Sequence, residues 1–433
     1  MTTHIGTSST LANKKFSRAL SAMAVRQPTP LTTLTGPMPS EEGAMKKLRQ
    51  QSTTEMPVVR VDDLAKGPGD KVQLDAAHVV KLRAIMGDEN AEGRGAKLDY
   101  SSLEMRIDMA TLPVSAGGKM TQQRTPHRMR LNALAQLKGG IPRFRWQRCL
   151  THLAGARGNQ DGSDWILPLA SDPEFAAQMV NPLLAPTYNR HFVVDGTTLI
   201  QGGAQLASVD STDTLKLSHI DEWAALWDEM STKMAAIQVP GDMAAGDDPI
   251  KGVLMVDPLV WDAIITEQTS GNNIRTWQQN ALDRAAYGSM GKHPLFAGKP
   301  LLWNGVLVRK MSYGIRFAAS TLVPHVTAGN RLAATETNVT VAAGLSTTHV
   351  VARSIFLGAQ ALGLASGGNQ TSGETYSLLE NRTNFGRNLE LAGEIMGAEQ
   401  KLRWALPNAA GDLEATDFGV AVIDSVVRRR DVS

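Results

Sequence analysis

The sequence predicts an α+β protein, because helix patterns and strand patterns both occur without regular alternation along the chain. The stretch "SLEMRIDM" (102–109) alternates apolar and polar residues, with Leu103, Met105, Ile107 and Met109 on one face, as in a half-buried strand. The stretch "SHIDEWAALWDEMSTKM" (218–234) carries its apolar residues at helical spacing. The stretch "KPLLWNGVLVRK" (299–310) is typical of a hairpin, since Asn-Gly suits a two-residue turn.

Bulk composition limits the class of protein. The 433 residues are enough for two or three domains, and 44 Lys and Arg balance 42 Asp and Glu. A single cysteine, Cys149, excludes an intramolecular disulfide and multi-cysteine metal sites, and a buried structural thiol is expected there. Neither a membrane-spanning run nor a signal-peptide core occurs, so a soluble protein made in the cytoplasm is expected.

The first 118 residues predict an arm followed by a ribbon. Residues 1–57 are rich in Thr, Ser and Pro and are expected to form an N-terminal arm without a core of its own, which is mobile or lies on a partner. Over 58–118 the run "DKVQLDAAHVVKLRA" supplies an antiparallel partner for the alternating strand, and "GDENAEGRG" supplies an exposed tip. Because a two-stranded ribbon is marginal alone, it needs a surface to lie on.

A basic stretch follows the ribbon. From Met109 to Gln160 the chain has nine basic residues and no acid. Thr125 as N-cap and Pro126 at the first helical position predict a helix here. Because glycines and a proline at 139–142 must bend or interrupt it, we expect one long, kinked helix or two helices in tandem. Its arginines either bind nucleic acid or pair with acids, such as those of the ribbon tip or of the 218–234 helix. The candidate contact residues are Arg124, Arg128, Arg143, Arg145 and Arg148.

Three further local signals lie between 218 and 310. Ser218 with Asp221 resembles a capping box at the start of a helix. Asp257, followed by proline, predicts an N-cap between a buried strand and a helix. Asn304 and Gly305 predict a turn with positive φ at both positions.

Motifs of catalysis do not occur. The glycine-rich stretches "GSMGKH" and "GAQALGLASGG" lack the spacing of nucleotide-binding loops, and zinc-protease and serine-hydrolase signatures are missing. Asp161 and Asp164 are expected in a solvated loop rather than around a cation. The sequence predicts no enzyme, no cofactor and no metal.

Several segments in order resemble the major capsid proteins of tailed bacteriophages, in particular the N-four-like podophage capsid family. They include "GDKVQLDAAHVVKLRAIMGDENAEGRGAKL", "QQRTPHRMR", "LAPTYNRHF", "HPLFAGKPLLWNGVLV", "FLGAQALGLA" and "TDFGVAVIDSVV". The resemblance implies the Hong Kong 97-type capsid fold, with 58–118 as the extended loop and the helix from Thr125 as the spine helix of a peripheral domain at 119–240. It further implies a mainly axial domain at 241–355, which includes the Asn304-Gly305 hairpin, and a return to the peripheral sheet over 356–433.

The function implied by this resemblance is self-assembly into hexamers and pentamers of an icosahedral head in the virion, assembled in the host bacterial cytoplasm. The implied partners are further copies of the chain, portal and scaffold proteins, a decoration protein in some members, and double-stranded DNA held without sequence specificity. A membrane is not among them. The alternative is a cytoplasmic nucleic-acid-binding protein that uses the basic helix at 124–157. On the capsid interpretation the five arginines face the lumen or pair with acids of a neighbour's ribbon.

Overall fold

The computed structural model describes residues 30–37, 51–62, 69–78, 84–87, 89–90, 92–96, 98, 100–120, 129–161, 164–230, 232–239, 242, 249–268, 293–296, 300–368, 375–407, 411 and 413–429. Five α-helices lie in these residues: α1 (Pro30–Leu34), α2 (Met129–Ala154), α3 (Pro173–Gln178), α4 (Leu217–Glu229) and α5 (Pro258–Gln268). Helices and strands do not alternate regularly, so the α+β prediction is confirmed.

The strands of the first half of the chain are β1 (Val58–Val61), β2 (Lys71–Ala77), β3 (Tyr100–Arg106), β4 (Asp108–Gly118), β5 (His191–Asp195), β6 (Thr198–Gln201), β7 (Gly252–Val256), β8 (Leu301–Trp303) and β9 (Val306–Lys310). Those of the second half are β10 (Ile315–Phe317), β11 (Leu322–Val326), β12 (Glu336–Thr340), β13 (His349–Leu357), β14 (Leu362–Ser366), β15 (Tyr376–Thr383), β16 (Asn388–Lys401), β17 (Arg403–Pro407), β18 (Leu413–Asp417) and β19 (Val420–Arg428).

The larger sheet has eight strands and is covered on both faces. Its order is β6-β5-β19-β13-β7-β9-β8, and β10 also pairs with β13. Strands β13 and β19 are buried almost throughout, as expected for apolar runs with cover on both sides. On one face Trp223 of α4 packs edge-on between Phe192 and Phe356, with ring centroids 5.0 Å apart in each pair. These aromatic contacts fix α4 against the sheet.

The smaller sheet carries the long helix. Its order is β1-β14-β16-β15, with β4 paired to the other edge of β16. Helix α2 packs Leu137, Ile141 and Phe144 against apolar residues of β15 and β16. A Cβ on Gly393 would lie 2.5 Å from Ile141, so this glycine permits the close approach of helix and sheet. Helix α2 is unbroken from Met129 to Ala154, so the predicted long helix is present although Pro142 lies inside it.

The predicted pairing of two antiparallel strands in the ribbon is present, but the base of the ribbon belongs to the subunit core. Strands β2 and β3 pair antiparallel, with Val72 opposite Met105. Met105 is fully buried in a cluster with Leu402 and Trp404. The prediction for Met109 was wrong: its side chain is 52% exposed, because the chain leaves the ribbon at Ile107 and enters β4 of the smaller sheet.

Two other local predictions need correction. Ser218 lies inside α4 rather than at its N-cap, because the helix begins at Leu217 and the His219 ring accepts a hydrogen bond from the Lys216 N–H (2.9 Å). The predicted N-terminal arm is partly packed on its own subunit, since Leu31, Leu34 and Met56 are buried in the main core.

The closing strand does not join the sheet of the long helix. Strand β19 pairs with β13 and β5, and therefore lies in the same sheet as the β8–β9 hairpin. Strand β19 completes the edge of β13 in full register from His349 to Leu357, and the expected return of the last segment to the peripheral sheet stays a prediction. The domain boundaries themselves remain predictions.

Candidate assembly surfaces and buried charge clusters

The five candidate arginines lie in different surroundings. Arg124 and Arg128 are outside the described residues. The Arg143 side chain is 35% exposed and its Nη1 lies 3.9 Å from the carboxylate of Asp164 in the following loop. Arg145 and Arg148 are on the buried side of α2, with side chains 12% and 3% exposed. Helix α2 therefore presents only part of its positive charge to solvent.

Arg145 and Arg148 share one fully buried acid, Glu399 of β16. The Arg145 Nε lies 3.4 Å from Glu399 Oε1, and the Arg148 Nη2 lies 3.1 Å from Oε2. Both contacts are ion pairs by distance, but neither is aligned as a hydrogen bond. We regard them as electrostatic contacts, because the N···O distances are short while the N–H directions miss the oxygens. Arg145 also donates a hydrogen bond to the Tyr376 hydroxyl (2.6 Å).

Both buried arginines are thus paired with an acid of their own subunit, and their roles in contacts with a lumen or a neighbouring subunit stay predictions. Two of the acids considered from the sequence pair elsewhere: Glu89 with Arg94 of the ribbon tip, and Asp228 of α4 with Lys251. Asp88 is outside the described residues. Sequence reasoning missed Glu399, although an acid inside the buried end of a strand is a signal that a buried cation faces it.

Burial sets the charge state of the neighbours on α2. It raises the pKa of the Cys149 thiol well above its ordinary value, and Glu399 raises it further. Burial, together with Arg148 and Lys401, lowers the pKa of His152 to about 3. Both side chains are therefore neutral at pH 7, and Cys149 is the buried thiol that the sequence predicts.

A second buried cluster joins β5, β13 and β19. Arg353 donates from Nε and Nη2 to the two carboxylate oxygens of Asp424 (2.8 and 2.7 Å), and His191 Nε2 lies 2.8 Å from Oδ2. All three side chains are fully buried. Burial alone would raise the pKa of Asp424, but Arg353 and His191 outweigh it and hold the value at about 2. The bidentate geometry makes this cluster a strong bond between adjacent strands.

A third cluster lies where the smaller sheet meets the β17–β18 hairpin. Asp417 accepts from Lys401 Nζ (2.7 Å) and from Arg403 Nε (2.8 Å). Burial lowers the pKa of Lys401 to about 8, although Asp417 partly offsets this. None of the residues of the second and third clusters was identified from the sequence. Asp424 could have been noticed, because it is the one acid in the otherwise apolar strand "VAVIDSVV".

The Asn304-Gly305 turn has the predicted conformation. Both residues have positive φ, 46° and 75°, and they join β8 to β9 with Trp303 opposite Val306. The turn is tied to its own subunit: Asp221 of α4 accepts from Trp303 Nε1 (2.7 Å) and from Asn304 Nδ2 (3.3 Å). Whether the turn lies near a symmetry axis remains a prediction.

The ribbon tip is exposed and carries apolar side chains. Met86 is 79% exposed and Leu98 61% exposed. In the sequence between these two residues, Arg94 and Glu89 form an ion pair (2.7 Å), and the side chains of both charged residues are more than half exposed. Because exposed apolar surface is a signal of contact with another molecule, Met86 and Leu98 are candidate contact residues.

Within the described residues no group of three or more His, Cys, Asp or Glu side chains is placed to hold a metal ion. In the same part of the chain no helix has the length and apolar character needed to cross a membrane.

Comparison with known proteins gives a consistent result. The chain matches the family model described as phage capsid protein over residues 4–429. No curated protein matches it. Among solved structures, the capsid of Ralstonia phage GP4 is 20% identical, with 94% of this chain and 93% of that chain covered and a TM-score of 0.67.

Two more capsids share the fold. The capsid asymmetric unit of cyanophage Pam1 is 14% identical, with a TM-score of 0.55 over 94% of this chain and 98% of that chain. The acid-stable capsid of Helicobacter pylori bacteriophage KHP30 is 9% identical, with a TM-score of 0.53 and coverages of 92% and 91%. The alternative of a nucleic-acid-binding protein is not supported, because Arg145 and Arg148 are buried. The chain belongs to the phage capsid protein family, as a major capsid protein of Hong Kong 97-type fold that forms the icosahedral head.

Proposed function

We propose that this major capsid protein forms rings of six and five identical subunits, held together by the ribbon of one subunit lying on the next. The main observation in support is the contrast along the ribbon. Met86 and Leu98 near its tip are more than half exposed, whereas its base is buried in its own subunit. Because every copy carries the same ribbon and the same outer surface, the surface of a neighbouring copy is the simplest partner for the ribbon. In this proposal the chain is a structural component without catalytic activity.

We further propose that assembly takes place in the host bacterial cytoplasm, with scaffold and portal proteins as partners and double-stranded DNA as the enclosed cargo. Among the candidate arginines that the structure describes, Arg143 has the most exposed side chain, at 35%, and Arg124 and Arg128 remain candidates. Contacts of such residues with phosphates would be weak, salt-dependent and independent of base sequence. Loose attraction of this kind suits a container that must later release its genome.

The test is assembly of the purified full-length chain, followed by sedimentation velocity and negative-stain microscopy. Rings, shells or tubes of regular subunit spacing are expected. A chain that stays monomeric at every protein and salt concentration, with and without an added scaffold protein, would contradict the proposal. The variant Arg143→Gln is expected to assemble like the wild type and to retain less DNA as the salt concentration rises.

A further inference from the structure

A pocket of about 190 Å³ lies beside the outer edge of β4. Its walls come from β4, helix α2 and helix α3, and its lining includes Thr111, Phe144, Arg148, Ala177 and Gln178. Ala177 and Thr111 are exposed, so the pocket opens to solvent, while Arg148 lies at its buried end. The volume is sufficient for a group of a few non-hydrogen atoms.

The edge of β4 presents backbone groups to this pocket. Met396 of β16 turns its N–H and C=O toward Thr375 and Gly367, away from β4. Met109 lies opposite Met396. Since the Met396 groups point away from β4, this is a non-hydrogen-bonded pair, in which the N–H and C=O of Met109 also point away from β16. Two residues further, the N–H and C=O of Thr111 therefore also point away from β16. Pro113, two residues on, fits this alternation, because it occupies a position that donates nothing to the pairing.

The buried end of the pocket carries unbalanced positive charge. Arg145 and Arg148 share the single carboxylate of Glu399, and the neighbouring Cys149 and His152 are neutral. Within the described residues, Arg148 Nε and Nη2 have no aligned hydrogen-bond acceptor, although the side chain is only 3% exposed. A buried guanidinium of this kind favours an additional anionic acceptor.

We propose that this pocket binds a carboxylate group, with the Arg148 guanidinium and the outward Thr111 N–H as its donors. A guanidinium and a backbone N–H are a common donor pair for carboxylates. Asp108 lies at the rim and its Oδ1 accepts from the Met109 N–H (2.7 Å), so the ligand enters on the Thr111 side of the pocket. The carboxylate comes from a free small acid or from an Asp or Glu side chain of a second copy of this chain; the second source rests on the proposed assembly.

The test uses trifluoroacetate as the probe and the unassembled full-length subunit. At constant ionic strength, the fluorine NMR signal should broaden on addition of wild-type protein and sharpen again when acetate replaces chloride at roughly millimolar concentrations, the range open to so small a ligand. Arg148→Gln should weaken binding about tenfold or more, since a charge-assisted hydrogen bond is lost. Arg143→Gln, which changes a partly exposed arginine of the same helix outside the pocket lining, is the matched control and should bind like the wild type.

Broadening that acetate does not reverse, or that persists unchanged in Arg148→Gln, would overturn the proposal. If Arg148→Gln does not fold, Ala177→Phe takes its place, because it fills the pocket from an exposed position of α3 and removes no charge. Unchanged binding by a folded Ala177→Phe subunit would also overturn it.

Assembled wild-type particles distinguish the two sources. If a free acid occupies the pocket, particles should broaden the probe signal as subunits do. If a neighbour's side chain occupies it, particles should leave the signal sharp, and acetate should slow the assembly of wild-type subunits. Particle formation is scored separately by microscopy, so failure of the carboxylate site would leave the proposed assembly standing.

Discussion

The ribbon and the subunit interior place ion pairs of the same chemistry in opposite surroundings. On the ribbon, Lys71 pairs with Glu104 (2.6 Å) with both side chains more than half exposed. In the interior, Arg353 pairs with Asp424 (2.7 Å) with both side chains fully buried. Exposed pairs contribute little to folding, whereas breaking a buried pair leaves a charge without solvation. The difference indicates that interior charges hold the subunit together and that ribbon charges are available to other molecules.

The largest expected effect concerns acid and the interior. Burial lowers the pKa of His152 to about 3. Below its ordinary value of about 6.5 the unfolded chain takes up a proton that the folded subunit does not, so stability is present above pH 6.5 and is lost as the pH falls toward 3. Between pH 6.5 and pH 3 the free energy of unfolding of the wild type should therefore fall by about 5 kcal/mol more than that of His152→Gln.

Urea unfolding of the unassembled subunit at a series of pH values measures this difference. The difference between the free energies of unfolding of wild type and variant at each pH isolates the contribution of His152 from those of other buried groups, such as Asp424. An identical pH dependence for His152→Gln and wild type would contradict the assignment of a buried, neutral imidazole.

The second effect breaks a buried pair directly. Asp424→Asn keeps the size of the side chain but leaves the Arg353 guanidinium without its acid, which should lower the free energy of unfolding by about 3–5 kcal/mol. The ribbon counterpart, Glu104→Gln, should leave it nearly unchanged, because both partners are solvated. Similar losses in the two variants, measured by urea unfolding at pH 7, would show that the interior and the ribbon do not differ in this way.

The parts of the fold that depend on short stretches of chain were predictable. Asn304-Gly305 needs only two adjacent residues that tolerate positive φ, and Asp257 caps α5 by accepting from the Leu259 N–H (2.8 Å). The pairing of β2 with β3 followed from alternation alone. Such signals are contained within a few residues, so the sequence carries them without knowledge of the rest of the fold.

Contacts between distant segments were not predictable. Glu399 meets Arg148 only because β16 lies along α2, and sequence spacing does not encode that placement. The Ser218 cap failed for a related reason, since the buried His219 ring satisfies the Lys216 N–H in its place. Basic residues read one by one look exposed, and only the packing of α2 on the smaller sheet shows that Arg145 and Arg148 are not.

The third effect tests the turn at the edge of the larger sheet. Gly305→Val should lower the free energy of unfolding of the unassembled subunit by about 1–3 kcal/mol, because a β-branched residue is strained at a φ of 75°. The new Cβ would also lie 3.2 Å from the Pro249 carbonyl oxygen. Asn304→Gly is the matched control: it keeps the turn conformation and removes only the 3.3 Å contact with Asp221. Unchanged thermal stability of Gly305→Val would contradict the turn assignment.

The smallest effect on the subunit is expected from the ribbon tip. Replacing Gly87–Gly95 by a two-residue Asn-Gly turn removes the exposed Glu89–Arg94 pair but spares Val72 and Met105 at the buried base. The free energy of unfolding should therefore stay nearly the same, while sedimentation velocity should show that particles no longer form. The matched control exchanges the two charges, Glu89→Arg with Arg94→Glu, at unchanged length. If the shortened subunit unfolds, the tip supports the core as the base does. If it assembles normally, contacts between subunits do not need residues 87–95, and the exposed Met86 and Leu98 that flank them are the remaining ribbon candidates.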